Sequence, residues 1–250
     1  MIRGTTLVIS LPERLDRREH ILENFRRIGH EFLFVNGKRP PDMPANMQST
    51  AIAIWASHVS ALETFLLTQA DYVLILEDDV YLQSEFAEKV ISNLDSIGQL
   101  LQENFSILQL GTMDFVNSNR LRALASKTHF MIFGYHRFDK PDLIRMQKYL
   151  GSDGFWKLER ALTNFLGIRC LPLLGFKIGS QAYIINRSGA VGIVRDFWAR
   201  TDWDRDSIFG IDTWLENLTH GVILEPKVLR TSSQLLVQRD TPSDNKQQTP

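Results

Sequence analysis

Three consecutive carboxylates, Glu77, Asp78 and Asp79, follow the apolar run Tyr72-Val73-Leu74-Ile75-Leu76 without a break. The run has the length and composition of a buried strand. Three adjacent acids at its end repel one another unless a cation joins them. A divalent metal carrying a phosphorylated substrate meets that need with few groups. Residues two apart on an extended chain share a side, so Glu77 and Asp79 are placed to face one ion. Oxygen ligands favour magnesium or manganese over zinc. The competing reading has the acids capping the next helix or binding loop amides.

Two further groups of residues bear on a phosphorylated ligand. The segment Pro12-Glu13-Arg14-Leu15-Asp16-Arg17-Arg18 places three arginines beside an expected helix start. Guanidinium groups and the amides of a helix N terminus both suit a diphosphate, although exposed arginines at a helix entry are also common. His58, near the start of a later helix, has the chemistry to bind a phosphate or hydroxyl; a hydrogen-bonded structural role is the alternative. Asp202, Asp204 and Asp206 alternate like a calcium loop, but its sixth position holds Ser207 in place of glycine and its twelfth Thr213 in place of glutamate, which excludes that motif. Cys170 has no activating neighbours and reads as a small buried apolar residue.

The elements that must position these groups alternate between strand and helix. Residues 6–11 form a first strand ended by Pro12. Asp16 and Glu19 have capping-box spacing. Ile21, Leu22, Phe25 and Ile28 share a helical face, and Gly29 stops that helix. A second strand at 31–35 closes at Asn36-Gly37. This β-α-β opening implies a parallel sheet, whose ligands bind at the carboxyl ends of its strands. After a proline-marked loop at 38–50, a helix is expected over 53–67, then the strand 72–76. Ser84 caps a helix to about residue 94. Strands follow at 105–110 and 128–133, with a helix at 153–166. A strand at 181–186, helices at 188–199 and 211–218, and a strand at 221–224 complete the pattern. One domain spans 1–235, with 134–179 as an acceptor-side insertion or lid; residues 236–250 read as a disordered tail.

Composition narrows the class. The chain has 250 residues, 44% hydrophobic and 23% charged, with a net charge of −1, which makes nucleic acid a poor main partner. With one cysteine the chain can form no internal disulfide, and no run reaches the length of a membrane span or a signal peptide core. The expectation is a cytoplasmic protein. Between residues 71 and 103 eight acids face one base, Lys89, whereas 134–177 holds eight bases against four acids. Solvated helix faces explain both biases simply; the sharper reading pairs an acidic metal pocket with a basic surface for an anionic acceptor or the inner membrane surface.

Taken in order, these motifs resemble glycosyltransferase family 25, the lipooligosaccharide galactosyltransferase type. The match runs through Val8-Ile9-Ser10-Leu11 with Arg14 and Asp16-Arg17-Arg18, through Ala56-Ser57-His58 with Ala61-Leu62, and through Ile75-Leu76-Glu77-Asp78-Asp79-Val80. It continues with Gly179-Ser180-Gln181-Ala182-Tyr183-Ile184-Ile185-Asn186, then Gly189-Ala190, and more weakly with Gly210-Ile211-Asp212-Thr213-Trp214-Leu215. Ser10 stands where the family often has asparagine, and Trp55-Ala56 depart from its residues before the Ser-His pair. The stretch 134–175 carries no motif that can be placed, which leaves the acceptor open.

The resemblance implies a GT-A-like, Rossmann-type α/β fold with a mostly parallel central sheet flanked by helices. It implies an inverting transfer of a sugar, usually galactose from UDP-galactose, to a saccharide or glycolipid acceptor. Asp79 with Glu77 would hold Mn2+ or Mg2+. Leu11, Arg14, Arg17, His58, Glu77, Asp78, Ser180 and Gln181 would line the nucleotide-sugar site, and Asp212 would be the general base, unless it serves only to cap the helix after it. Trp198, Trp203 and Trp214 offer faces for a sugar ring, although core packing is the simpler role. A nucleotidyltransferase would use similar strand-end acids but wants a glycine-rich loop that Pro12-Glu13-Arg14 does not supply. A non-catalytic binding subunit is the remaining alternative.

Overall fold

The strand leading into the acidic triplet is buried on both faces, and the fold is built around that fact. The computed structural model describes residues 3–82, 84–104, 107–110, 170–172, 181–200, 228–231 and 236–238. Its strands are β1 (Gly4–Ser10), β2 (Leu33–Asn36), β3 (Tyr72–Glu77), β4 (Val80–Leu82), β5 (Ile107–Gln109), β6 (Cys170–Pro172), β7 (Ala182–Asn186), β8 (Val228–Thr231) and β9 (Leu236–Gln238). Its helices are α1 (Leu15–Ile28), α2 (Thr50–Leu66), α3 (Ser84–Lys89), α4 (Leu94–Asn104) and α5 (Arg187–Ala199).

Among the described residues, seven strands form one sheet in the order β2-β1-β3-β7-β5-β8-β6. β1 pairs in parallel with β2 and β3, and β5 with β8. β7 runs antiparallel between β3 and β5, and β6 antiparallel to β8. The sheet is therefore mostly parallel, as expected, with two strands reversed. Side chains alternate between two cores. Leu7, Ile9, Val73, Ile75, Tyr183 and Ile185 pack with α2 and α5. Val8, Leu74, Leu76, Leu108 and Ile184 pack with α1, α3 and α4 on the other face. Two apolar faces need two helical layers, hence the near-continuous apolar reading of β3.

Local signals account for the helix ends. Gly29 takes the left-handed conformation (φ 72°) and its N–H returns to the Phe25 carbonyl at 2.9 Å, closing α1. α2 starts at Thr50, three residues before its expected onset, because the Ser49 hydroxyl accepts the Ile52 N–H. The Asp16–Glu19 capping box does not form: Arg14 occupies the cap position, and Asp16 in the first turn pairs with the Arg14 guanidinium. The helix expected over 84–94 stops at Lys89. A 3-10 turn at Ile91–Asn93 then leads into α4, and the break lets Phe86, Val90, Leu94 and Ile97 all reach one core. β4 was not foreseen; its three residues pair antiparallel with β9, within the stretch read as tail. The elements expected at 128–133, 153–166, 211–218 and 221–224 lie outside the described residues. Among the described residues no helix is long and apolar enough to cross a membrane.

Tyr72 locks α4 onto the start of β3. Its hydroxyl donates to Asp95 Oδ1 at 2.6 Å, and its ring lies against Gly4 and Gly98. A Cβ at Gly98 would fall 2.2 Å from the ring. The ring is held at its far end, so it cannot swing aside. Gly98→Ala is expected to lower stability by about 1–2 kcal/mol, because overpacking outweighs alanine's helix preference. Urea unfolding measures it, and a stabilised variant would show that the ring yields freely.

Candidate active site

β1, β2 and β3 end along one edge, with Ser10 opposite Asn36 and Ile9 opposite Glu77. Leu11 leads out of β1 into the turn that starts α1, where the Arg14 N–H donates to the Leu11 carbonyl at 3.0 Å. An ion pair between Glu13 and Arg39 joins this turn to the loop after β2.

Each of the three arginines has a partner within the protein. Arg14 forms a two-pronged contact with Asp16, Nε to Oδ1 and Nη2 to Oδ2, both at 3.1 Å. That contact lowers the Asp16 pKa to about 2. Arg18 donates to the Asn36 side chain at 2.8 Å and to the Ser10 carbonyl and hydroxyl at 3.2 Å, while covering the Phe34 ring. It ties the ends of β1 and β2 together. Arg17 is buried and turned inward, with Nη1 2.9 Å from Asp78 Oδ1 and 3.8 Å from Asp79 Oδ2. The expected arginine cluster for a diphosphate is thus a set of separate ion pairs, and Arg17 serves the acidic turn.

The acidic triplet divides between the two faces of the sheet. Glu77 ends β3, and Asp78 and Asp79 form the turn into β4. Alternation sends Glu77 toward α2 and turns Asp78 toward α1. Asp78 and Asp79 both approach Arg17, while Glu77 meets His58. Burial pushes the Asp78 pKa above the usual carboxylate range, while hydrogen bonds from Ser10 and Arg17 and the guanidinium charge pull it back. Repulsion within the triplet is met first by the chain's own cation.

Glu77 is a quarter exposed, and its Oε1 lies 3.3 Å from Nε2 of His58. His58 is 1% exposed and its Nδ1 lies 3.1 Å from the Tyr183 hydroxyl. Buried as it is, this histidine meets the strand-end carboxylate Glu77. Gln181 is buried beside Glu77 and accepts its N–H at 2.8 Å. The structure therefore brings Arg14, Arg17, His58, Glu77, Asp78, Asp79 and Gln181 to one edge. Ser180 and Asp212 lie outside the described residues, as do Trp203 and Trp214. Trp198 is exposed and donates to Glu63 at 2.8 Å.

Among the described residues no three His, Cys, Asp or Glu side chains gather as a self-sufficient metal cage. Magnesium and manganese do not require one, because they commonly take one or two carboxylates and complete their shell with water and phosphate oxygens. Glu77 is part exposed, and Asp79 is held more loosely by Arg17 than Asp78 is. The residues fit an ion shared with a phosphorylated ligand.

Three contributors had no separate role in the sequence reading: Ser10, Arg18 and Tyr183. For Tyr183 a signal existed, since a tyrosine inside a fully apolar strand must find a partner for its hydroxyl.

The structure is similar to a solved glycosyltransferase involved in the glycosylation of the major capsid of PBCV-1, with a TM-score of 0.52 and 10% identity over 98% of this chain and 96% of that one. At that identity the likeness concerns the fold. The model of glycosyltransferase family 25 (LPS biosynthesis protein) matches residues 4–201, and the chain belongs to that family. No curated protein matches it. Membership makes the chain a glycosyltransferase of lipopolysaccharide or glycan synthesis, acting between a sugar donor and a saccharide acceptor.

Arg17→Met should cost about 3–5 kcal/mol, because it strands the Asp78 charge, and Arg17→Met/Asp78→Asn should recover most of it. Without Arg17, burial raises the folded-state pKa of Asp78 further above its unfolded value. The stability linked to that proton is present in acid and lost as pH rises through the raised pKa. The deficit of Arg17→Met should therefore shrink from pH 8 toward pH 5 in metal-free urea titrations. A deficit that grows on acidification would contradict the pairing.

Proposed function

We propose that the protein is an inverting, metal-assisted galactosyltransferase using UDP-galactose. The observation that best supports this reading is the meeting of the acidic turn with the start of α1 at the carboxyl edge of β1 and β3, in a chain of family 25. α1 has no side-chain cap, so its first amides and dipole offer a place for phosphate oxygens, with Arg14 beside them. Asp79 with Glu77 would hold Mn2+ or Mg2+. When bound, the ion supplies a Lewis acid beside the leaving diphosphate. Leu11, Ser180 and Gln181 line the donor, and Arg17 keeps Asp78 and Asp79 in place.

Inversion needs one in-line displacement. The acceptor hydroxyl oxygen bonds to the anomeric carbon as the carbon–oxygen bond to the diphosphate breaks. The bonding pair leaves with UDP, and the hydroxyl proton passes to Asp212 as general base. The basic stretch 134–177 would face an anionic saccharide or glycolipid acceptor, at the cytoplasmic side of the inner membrane.

A panel of nucleotide sugars, with and without manganese, tests the donor. UDP-galactose should give the largest manganese-dependent thermal shift, and a preference for another nucleotide would overturn the assignment. Asp79→Ala should abolish manganese-stimulated turnover while the protein stays folded; unchanged turnover would remove the metal role. Asp212→Asn should keep donor affinity while transfer falls about 10²-fold or more. Donor affinity lost in step with transfer would give Asp212 a structural role instead.

A further inference from the structure

We propose that Tyr183 is a positioning residue that acts through His58 to set the Glu77 carboxylate at the donor edge. The inference rests on the reading that Glu77 faces the donor or its ion.

The three groups form a chain across the core. Tyr183 lies on β7, in register with Ile75 of β3 on one side and Gln109 of β5 on the other. It is fully buried, and its ring stacks on His58 with centroids 5.7 Å apart and planes 26° apart. Its hydroxyl meets Nδ1 of His58 at 3.1 Å, and Nε2 meets Glu77 Oε1 at 3.3 Å. With a neutral imidazole one proton placement satisfies both contacts: Tyr183 O–H donates to Nδ1, and Nε2–H donates to the carboxylate. The hydroxyl and the carboxylate thereby favour the same tautomer, the one that points a donor at Glu77.

The histidine is held from behind as well. The neighbouring Ser57 hydroxyl donates to the Ala53 carbonyl and accepts the Lys38 N–H, both at 2.7 Å, which pins this turn of α2 to the loop after β2. The Glu77 main chain is fixed by its N–H to the Gln181 carbonyl at 2.8 Å. Main chain and imidazole being fixed, the hydrogen bond from His58 favours one orientation of the carboxylate. A glutamate side chain otherwise loses considerable rotamer freedom when it binds a ligand, and a preset one loses less. Deleting the tyrosine hydroxyl should therefore weaken donor binding without removing any atom that touches the donor.

The test is a double-mutant cycle read as UDP-galactose affinity by calorimetry with manganese present, alongside thermal unfolding. Tyr183→Phe keeps the ring and should unfold cooperatively with a Tm lower by about 5 °C. It should weaken donor affinity about 5–10-fold, as loss of one hydrogen-bonded restraint does. In the Glu77→Gln background the same change should have no further effect on affinity. If Tyr183→Phe leaves affinity unchanged, or if its effect adds in full to that of Glu77→Gln, the positioning role is overturned while the donor site stands. If Glu77→Gln alone leaves affinity unchanged, the donor-facing reading of Glu77 falls, and the inference falls with it. His58→Gln retains a donor near the Nε2 position and should bind UDP-galactose more tightly than His58→Ala. Equal loss in the two variants would also overturn the role.

Discussion

The Asp78 carboxylate sits inside the protein, and Arg17 makes that tolerable. A buried carboxylate without a partner would cost several kcal/mol, enough to use up much of a domain's stability. The 2.9 Å contact joins the first turn of α1 to the turn after β3, two segments sixty-one residues apart. It fixes where α1 begins relative to the sheet edge. The site therefore exists as a shaped edge in the free protein, and a ligand has less of it to build.

Strand alternation does the rest. A run buried on both faces sends successive side chains to opposite layers, so three adjacent acids cannot share one surroundings. Glu77 falls on the side of α2, where a histidine and a tyrosine await it. Asp78 falls on the side of α1, where an arginine does. Asp79, beyond the strand, is held loosely by the same arginine. One short acidic motif thus yields three carboxylates with different neighbours.

Much of this was legible in the sequence. The apolar run 72–76, the helix stop at Gly29 and the strand at 182–186 each carry a local signal, and the ordered motifs pointed to family 25. What was not legible depended on distant partners. β4 is only three residues long and is defined by β9, far along the chain. The reversal of β7 leaves no local trace, because a strand's direction in a sheet is set by connection and not by composition. The arginines of 14–18 looked alike in sequence; folding gave each a different acid or amide.

Hydrogen exchange of the free protein and of its complex with UDP-galactose and manganese tests the central claim, a preformed edge between β1 and β3 that receives the donor. The amides of residues 75–77 should already be protected in the free protein, and ligand should add protection at 11–16 and 77–80. Protection added elsewhere with none at those two turns, or a strand end that exchanges freely until ligand arrives, would contradict it.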